Sequence, residues 1–143
     1  LRKHCYAEAG HVCEICGDSG LNQGRKHAVE AHEVWTYDDA QCVQTLERVI
    51  VLCPRCHQVK HMGRTLKYGG GYKARAHMAR VNGMCEQGQR AYEDLAFLVH
   101  ALRSRFRWTV NIDALAQYAG EGLPLTAEQV KTAIKKVKSG GTA

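Results

Sequence analysis

The sequence predicts an α+β fold: a small zinc-stabilised core followed by a helical region. Three observations carry that expectation. Two C-x-x-C pairs, Cys13/Cys16 and Cys53/Cys56, lie about 40 residues apart. Apolar residues alternate on a period of two across residues 28–35, and a β-branched run follows at Val49-Ile50-Val51, the pattern of two strands. From Pro54 onward the apolar residues recur at helical spacing.

Each element has its own signal. Residues 2–9 suit a short helix, and Gly10, Gly17 and Gly20 then punctuate the first cysteine pair. On the first strand, Glu30, His32 and Val34 share one face, and Val29, Ala31, Glu33 and Trp35 the other. Residues 36–45 are polar and read as a loop, with Asp38 and Asp39 as solvated loop residues. Residues 46–52 form the second strand, paired with the first as an antiparallel hairpin. Trp35 and Tyr37 fit packing under the strand better than stacking on a base. A helix over residues 55–62 begins at Pro54 and stops at Gly63. His57 and His61 are spaced i,i+4, which sets both imidazoles on one helix face, close enough to share a metal.

Tyr68-Gly69-Gly70-Gly71-Tyr72 reads as a linker, dividing a core at residues 1–66 from a basic helical region at 67–143. Beyond it, Ala74, Met78 and Val81 mark one helix that breaks near Asn82-Gly83. Tyr92, Leu95, Leu98, Val99, Leu102 and Phe106 mark a longer one whose apolar stripe is expected to be core. A short helix is expected over 113–119, stopped by Gly120. A last one starts at Thr126 with a T-x-x-Q capping box to Gln129 and a stripe of Val130, Ala133, Ile134 and Val137.

Seven cysteines is an odd number. The two paired knuckles supply four thiolates for a tetrahedral structural zinc, whereas disulfides require an oxidising compartment that nothing in the chain indicates. Cys5, Cys42 and Cys85 stand alone and are expected as buried or partly buried thiols. His4, His11, His27, His77 and His100 are expected as surface or hydrogen-bonded histidines.

Length and composition bound the function. The chain has 143 residues, 45% of them apolar, and carries a formal charge of +6, which argues against wholesale disorder. No run approaches the roughly 18 apolar residues of a membrane-spanning helix, and residues 1–5 lack the apolar centre of a signal peptide. A soluble cytoplasmic protein with no membrane partner is expected. The first residue is Leu, which is compatible with a piece of a larger parent protein or complex. The positive charge concentrates in the middle third: residues 64–111 hold 9 Lys/Arg against 3 Asp/Glu. Within it, Arg64, Lys67, Lys73, Arg75 and Arg80 are candidate nucleic-acid-binding residues, suited to a phosphate backbone.

The order of cysteine knuckle, strand ending in a histidine, loop, strand, second knuckle and a helix bearing His-x3-His resembles the HNH endonuclease family. The residues that carry the resemblance are Cys13-Glu14-Ile15-Cys16-Gly17, Ala31-His32-Glu33 and Leu52-Cys53-Pro54-Arg55-Cys56-His57-Gln58-Val59-Lys60-His61, within roughly residues 5–63. The resemblance implies a treble-clef-like ββα-metal core beside a four-cysteine zinc, and metal-dependent hydrolysis of phosphodiester bonds in DNA. It implies a second divalent ion on His32, His57 and His61, or on His32 and His57 alone with His61 a helix-surface histidine. Three imidazoles suit zinc, nickel, cobalt or manganese better than magnesium, which prefers oxygen. Glu33 stands where the family places its histidine base, and Arg48 where it places the asparagine that holds the loop. Glu33 is then an altered base, an additional ligand or, as the strand alternation implies, a structural residue facing away. In a register one residue over, His32 is the base and Glu30 the only nearby acid. Arg48 either holds the loop through backbone carbonyls or meets a phosphate. The catalytic set is therefore His32, Glu33, Arg48 and His57. Two other classes fit the same residues: a non-catalytic zinc module that binds nucleic acid or docks on protein, and a zinc-dependent helical interaction domain.

Overall fold

The hairpin organises the molecule. In the computed structural model, which describes residues 1–118 together with 128, 129 and 132, β1 (Glu30–Asp38) pairs antiparallel with β2 (Val43–Leu52), with Glu30 opposite Leu52 and His32 opposite Ile50. The register shifts between Val34 and Trp35, where a bulge bends the ribbon. Both strands run further into residues 36–45 than the polar composition suggests. The hairpin needs only a short turn there, and Asp38 Oδ1 closes it by accepting the backbone N–H groups of Ala40 and Gln41. Asp39, exposed in the turn as expected, also takes a bidentate ion pair from Arg103, at 2.8 and 2.7 Å. A third strand, β3 (Thr109–Asn111), lies parallel to the start of β2. It is too short to leave a periodic signal.

The two faces of the hairpin are covered differently. On one, α1 (Arg2–Glu8) packs Cys5 against Val29 and Val51, and the Tyr6 hydroxyl accepts the Ala31 N–H. On the other, Ile50 and Leu52 meet Cys13, Cys53 and Cys56, with Val34 alongside. The strand alternation thus places Glu30, His32 and Val34 on the cysteine side.

Helix α2 (Pro54–Lys60) starts as its sequence dictates, with Pro in the first turn and the Cys53 sulfur accepting the Cys56 N–H at the cap. Gly63 does not end the helical path. The break falls at His61, and α3 (Met62–Lys67) continues through the glycine, tied back by a bond from the Thr65 hydroxyl to the Gln58 carbonyl at 2.7 Å. The glycine triplet is a tight turn rather than a long spacer: Gly69 takes φ +76°, and Gly71 already belongs to α4 (Gly71–Asn82). A Cβ on Gly71 would sit 2.5 Å from a Leu66 methyl, so a larger residue there would have to displace the end of that side chain. Helix α4 buries Ala74, His77 and Met78 and packs on α2, then ends at Gly83 in the left-handed conformation.

Helix α5 (Glu86–Arg103) departs from expectation. Only Gln89 is buried; Leu95 is 59% exposed, and Tyr92, Leu98, Leu102 and Phe106 are exposed as well. The stripe is real but is not core among the described residues. Periodicity shows that one face is apolar and not what lies on it. Cys85 is also exposed rather than buried, its sulfur capping α5 by accepting the Gly88 N–H. Cys5 is buried and Cys42 half-buried, as expected. Tyr37 packs edge-on against Trp108, with the Arg103 guanidinium 4.2 Å from its ring centre. A 3-10 turn over Asp113–Tyr118 replaces the short helix expected at 113–119. The helix expected from Thr126, with Val130, Ala133, Ile134 and Val137, lies outside the described residues. No helix among the described residues is long and apolar enough to cross a membrane.

Candidate metal centres

The two knuckles bring Cys13, Cys16, Cys53 and Cys56 together, their sulfurs all within 4.8 Å of one another, and this cluster can hold a metal ion as a structural zinc does. Gly17, at φ +69°, makes the first turn possible by donating its N–H to the Cys13 carbonyl. Glu14 locks that turn onto the sheet: its carboxylate accepts the Val51 N–H at 2.7 Å and an Arg48 N–H at 2.9 Å.

The chemistry of these four sulfurs fits a bound cation. Burial pushes the Cys16 thiol up to about 11 and raises Cys56 further, with the neighbouring sulfurs adding to the effect at Cys56. Burial would raise Cys13 too, but backbone N–H donors from Cys53, Cys16 and Ile15 outweigh it and hold that thiol below its ordinary value. Four thiolates crowded this way ionise together only around a positive ion.

His77 adds an independent sign. Its ring is buried on α4, with Nε2 3.1 Å from the Cys56 sulfur and Nδ1 3.1 Å from the Arg80 guanidinium. A guanidinium only donates, so Nδ1 must accept and the ring proton sits on Nε2, directed at sulfur. The Cys56 sulfur is then an acceptor, as a metal-bound thiolate is.

The second cluster stands where β1 faces α2. His32 on the strand and His57 and His61 on the helix turn their rings edge to face, with centroids 4.6 to 5.3 Å apart. One ligand nitrogen from each lies within 4.8 Å of the others. The Nε2 atoms of His57 and His61 face each other at 3.1 Å. His57 gives its Nδ1 proton to Glu30, which also accepts from His27 Nε2 at 2.6 Å. Glu30 thereby fixes the tautomer that leaves His57 Nε2 as a lone pair aimed into the cluster. His32 Nδ1 is the one buried side-chain nitrogen or oxygen without a partner among the described residues. Burial, reinforced by His61 and His57, brings the His32 pKa down to about 4, and burial with His57 lowers that of His61. Both rings are therefore neutral near pH 7, the form that ligates a metal. The donor set fits a divalent ion.

The other candidate residues fall outside this cluster. Glu33 is exposed on the α1 side of the strand, although its charge is felt at His32 and His61. Arg48 is engaged by Glu14 on the first knuckle. Arg75 is bound bidentately by Glu93, and Arg80 is committed to His77. Arg64 lines a cleft of about 350 Å³ beside His57 and His61, and Lys67 and Lys73 are exposed nearby on α3 and α4.

Sequence reasoning gave Glu14, His77 and Arg25, which lines the same cleft, no role at these clusters, and Glu30 one only in the alternative register. Glu30 was within reach, since it sits two positions before His32 on the same strand face. Nothing in the spacing of His77 marks it, because its contact depends on how α4 returns to α2. No family model, curated protein or solved structure matches this chain, so the functional reading rests on the chemistry of the two clusters.

Proposed function

We propose that this chain is a metal-dependent endonuclease hydrolysing phosphodiester bonds in DNA, an HNH-like ββα-metal core on a four-cysteine zinc. The observation that carries the reading is the convergence of His32, His57 and His61, from a strand and the helix after it, beside that cluster. A divalent ion held by these imidazoles would polarise the phosphodiester and stabilise the departing oxygen. His32, half-buried and neutral, supplies a ligand that does not change charge near pH 7. Glu30 holds His57 in the ligating tautomer. We assign the base to His27 rather than Glu33. Its Nε2–H is directed at Glu30, so Nδ1 is left to take a proton from water in the cleft that His27, His57 and His61 line. Arg25 and Arg64 give that cleft its positive charge. A reducing cytoplasmic setting accords with the thiolate cluster.

A non-catalytic nucleic-acid-binding or docking module is the second reading, favoured by Glu33 facing away from the histidines and Arg48 being held by Glu14. One experiment separates the two. Metal per chain is measured for the native protein and for a His32→Ala, His57→Ala double variant, and nicking of duplex plasmid and of circular single-stranded DNA is followed on the same samples. The nuclease reading expects two metals falling to one, with nicking lost in step. One metal in both, with no nicking, sinks it in favour of the module.

A further inference from the structure

The cations of the basic middle third are not equivalent. Arg75, Arg80, Arg90 and Arg103 are each taken, by Glu93, His77, Glu86 and Asp39 respectively. Arg25 and Arg64 make no ion pair among the described residues, and both line the cleft beside His57 and His61. The one carboxylate lining that cleft, Glu30, is occupied by His27 and His57. The cleft is therefore disposed to accept a phosphate.

Its rim carries an aromatic ring. Tyr68, in the turn after α3, lines the cleft and is 73% exposed, with the Arg64 guanidinium 6.0 Å from its ring centre. A tyrosine left this open beside two unpaired guanidiniums has the composition of a single-strand platform: cations track the backbone while a ring takes the flat face of a base. A base pair inside a duplex offers only its edges to a groove, so the ring has no partner there.

We propose that this cleft seats an unpaired DNA strand, with Arg25 and Arg64 on consecutive phosphates and Tyr68 stacked on a base, so that the substrate is single-stranded, frayed or flapped DNA rather than continuous duplex. The proposal rests on the nuclease reading only for what the strand is held for.

The test is equilibrium binding by fluorescence anisotropy. It uses the full chain with its structural zinc and no added second metal, against a labelled 12-nucleotide strand and the duplex of the same sequence. The strand binds more tightly than the duplex. Tyr68→Ala weakens strand binding about 5-fold or more with little effect on duplex, whereas Tyr68→Phe, which keeps the ring, stays within about twofold of native. Arg25→Ala and Arg64→Ala each lower the salt slope of strand binding by about 0.7. Arg90→Ala, exposed and paired with Glu86, changes neither. Tyr68 is exposed, and circular dichroism with zinc content confirms that its variants are folded. Duplex bound as tightly as the strand, or Tyr68→Ala binding like the native chain, overturns the proposal. Strand binding that needs Tyr68, with no cleavage under any metal, supports it while sinking the nuclease reading. Cleavage of duplex that ignores Tyr68 does the reverse.

Discussion

Replacing Glu30 by glutamine tests the second metal centre without removing a ligand. The Glu30 side chain is 30% exposed and accepts from both His57 and His27, and its bond to His57 Nδ1 sets the lone pair of Nε2. Glutamine keeps the shape and one acceptor oxygen but loses the charge, so the imidazole becomes a poorer donor to a cation. Loss of such an outer partner costs about 10- to 100-fold in metal affinity, or about 1.4 to 2.7 kcal/mol. Glu30→Gln should fall near the lower figure and Glu30→Ala near the upper. The assay is competition between the protein and a chromogenic chelator for zinc or nickel. The four-cysteine cluster, which Glu30 does not touch by any hydrogen bond, serves as internal control. Cleavage should fall with occupancy and recover only in part at saturating metal, because Glu30 also orients His27. Unchanged affinity in both variants would refute the tautomer argument. Equal losses at both clusters would show that Glu30 acts on the fold and not on His57.

Other expectations follow from the same geometry. Removing the structural metal with a strong chelator should abolish the far-ultraviolet signal of the core, because Cys13, Cys53 and Cys56 are themselves buried core residues alongside Ile50 and Leu52; a chelated chain that keeps its ellipticity contradicts this. His77→Ala removes a hydrogen bond to a charged sulfur and should cost about 1.5 to 3 kcal/mol, read as a lower urea midpoint and faster zinc release to a chelator. Gly20→Ala should be poorly folded, since a Cβ there would lie 2.2 Å from the His27 carbonyl oxygen and 2.8 Å from Pro54; native-like melting of that variant would be the contrary result. The His32 pKa is lowered from 6.5 to about 4 by burial and then by His61 and His57. Protonation therefore favours the unfolded chain, and stability complete above pH 6.5 should decline as pH falls toward 4. A His32→Asn variant should show a shallower decline, and identical slopes would rule the linkage out.

What the sequence made legible has a common physical character: it is local. The C-x-x-C spacing is a turn that only a few geometries satisfy, His57 and His61 are neighbours because a helix repeats every 3.6 residues, and the face shared by Glu30, His32 and Val34 follows from the pleat. The parts that were not legible depend on distant contacts. His77 reaches Cys56 only because the turn at Gly69 to Gly71 folds α4 back onto α2. Arg48 finds Glu14 across 34 positions of sequence and Arg103 finds Asp39 across 64. The apolar stripe on α5 misled for the complementary reason. A helix face announces its apolarity in its own residues, but its burial depends on neighbours the stripe does not encode.

The charge pattern shows why this distinction bears on function. Counting along the chain places the phosphate-binding surface on residues 64–111, where nine cations outnumber three acids. Pairing in three dimensions redistributes it: those three acids lie on α5, where Glu93 binds Arg75 and Glu86 binds Arg90. Asp39, from the hairpin turn, takes Arg103, and His77 holds Arg80. Arg75 ties α4 to α5 and Arg103 ties α5 to the hairpin, while Arg80 and Arg90 are held within their own helices; a guanidinium already engaged has less to offer a phosphate, since binding there must first break the contact. Arg25 contributed little to the count because it lies in the nearly neutral first part of the chain, yet with Arg64 it lines the histidine cleft, and neither has an ion pair among the described residues. Positive charge useful for binding is the charge left over after folding, and beside the imidazoles Arg25 and Arg64 supply it.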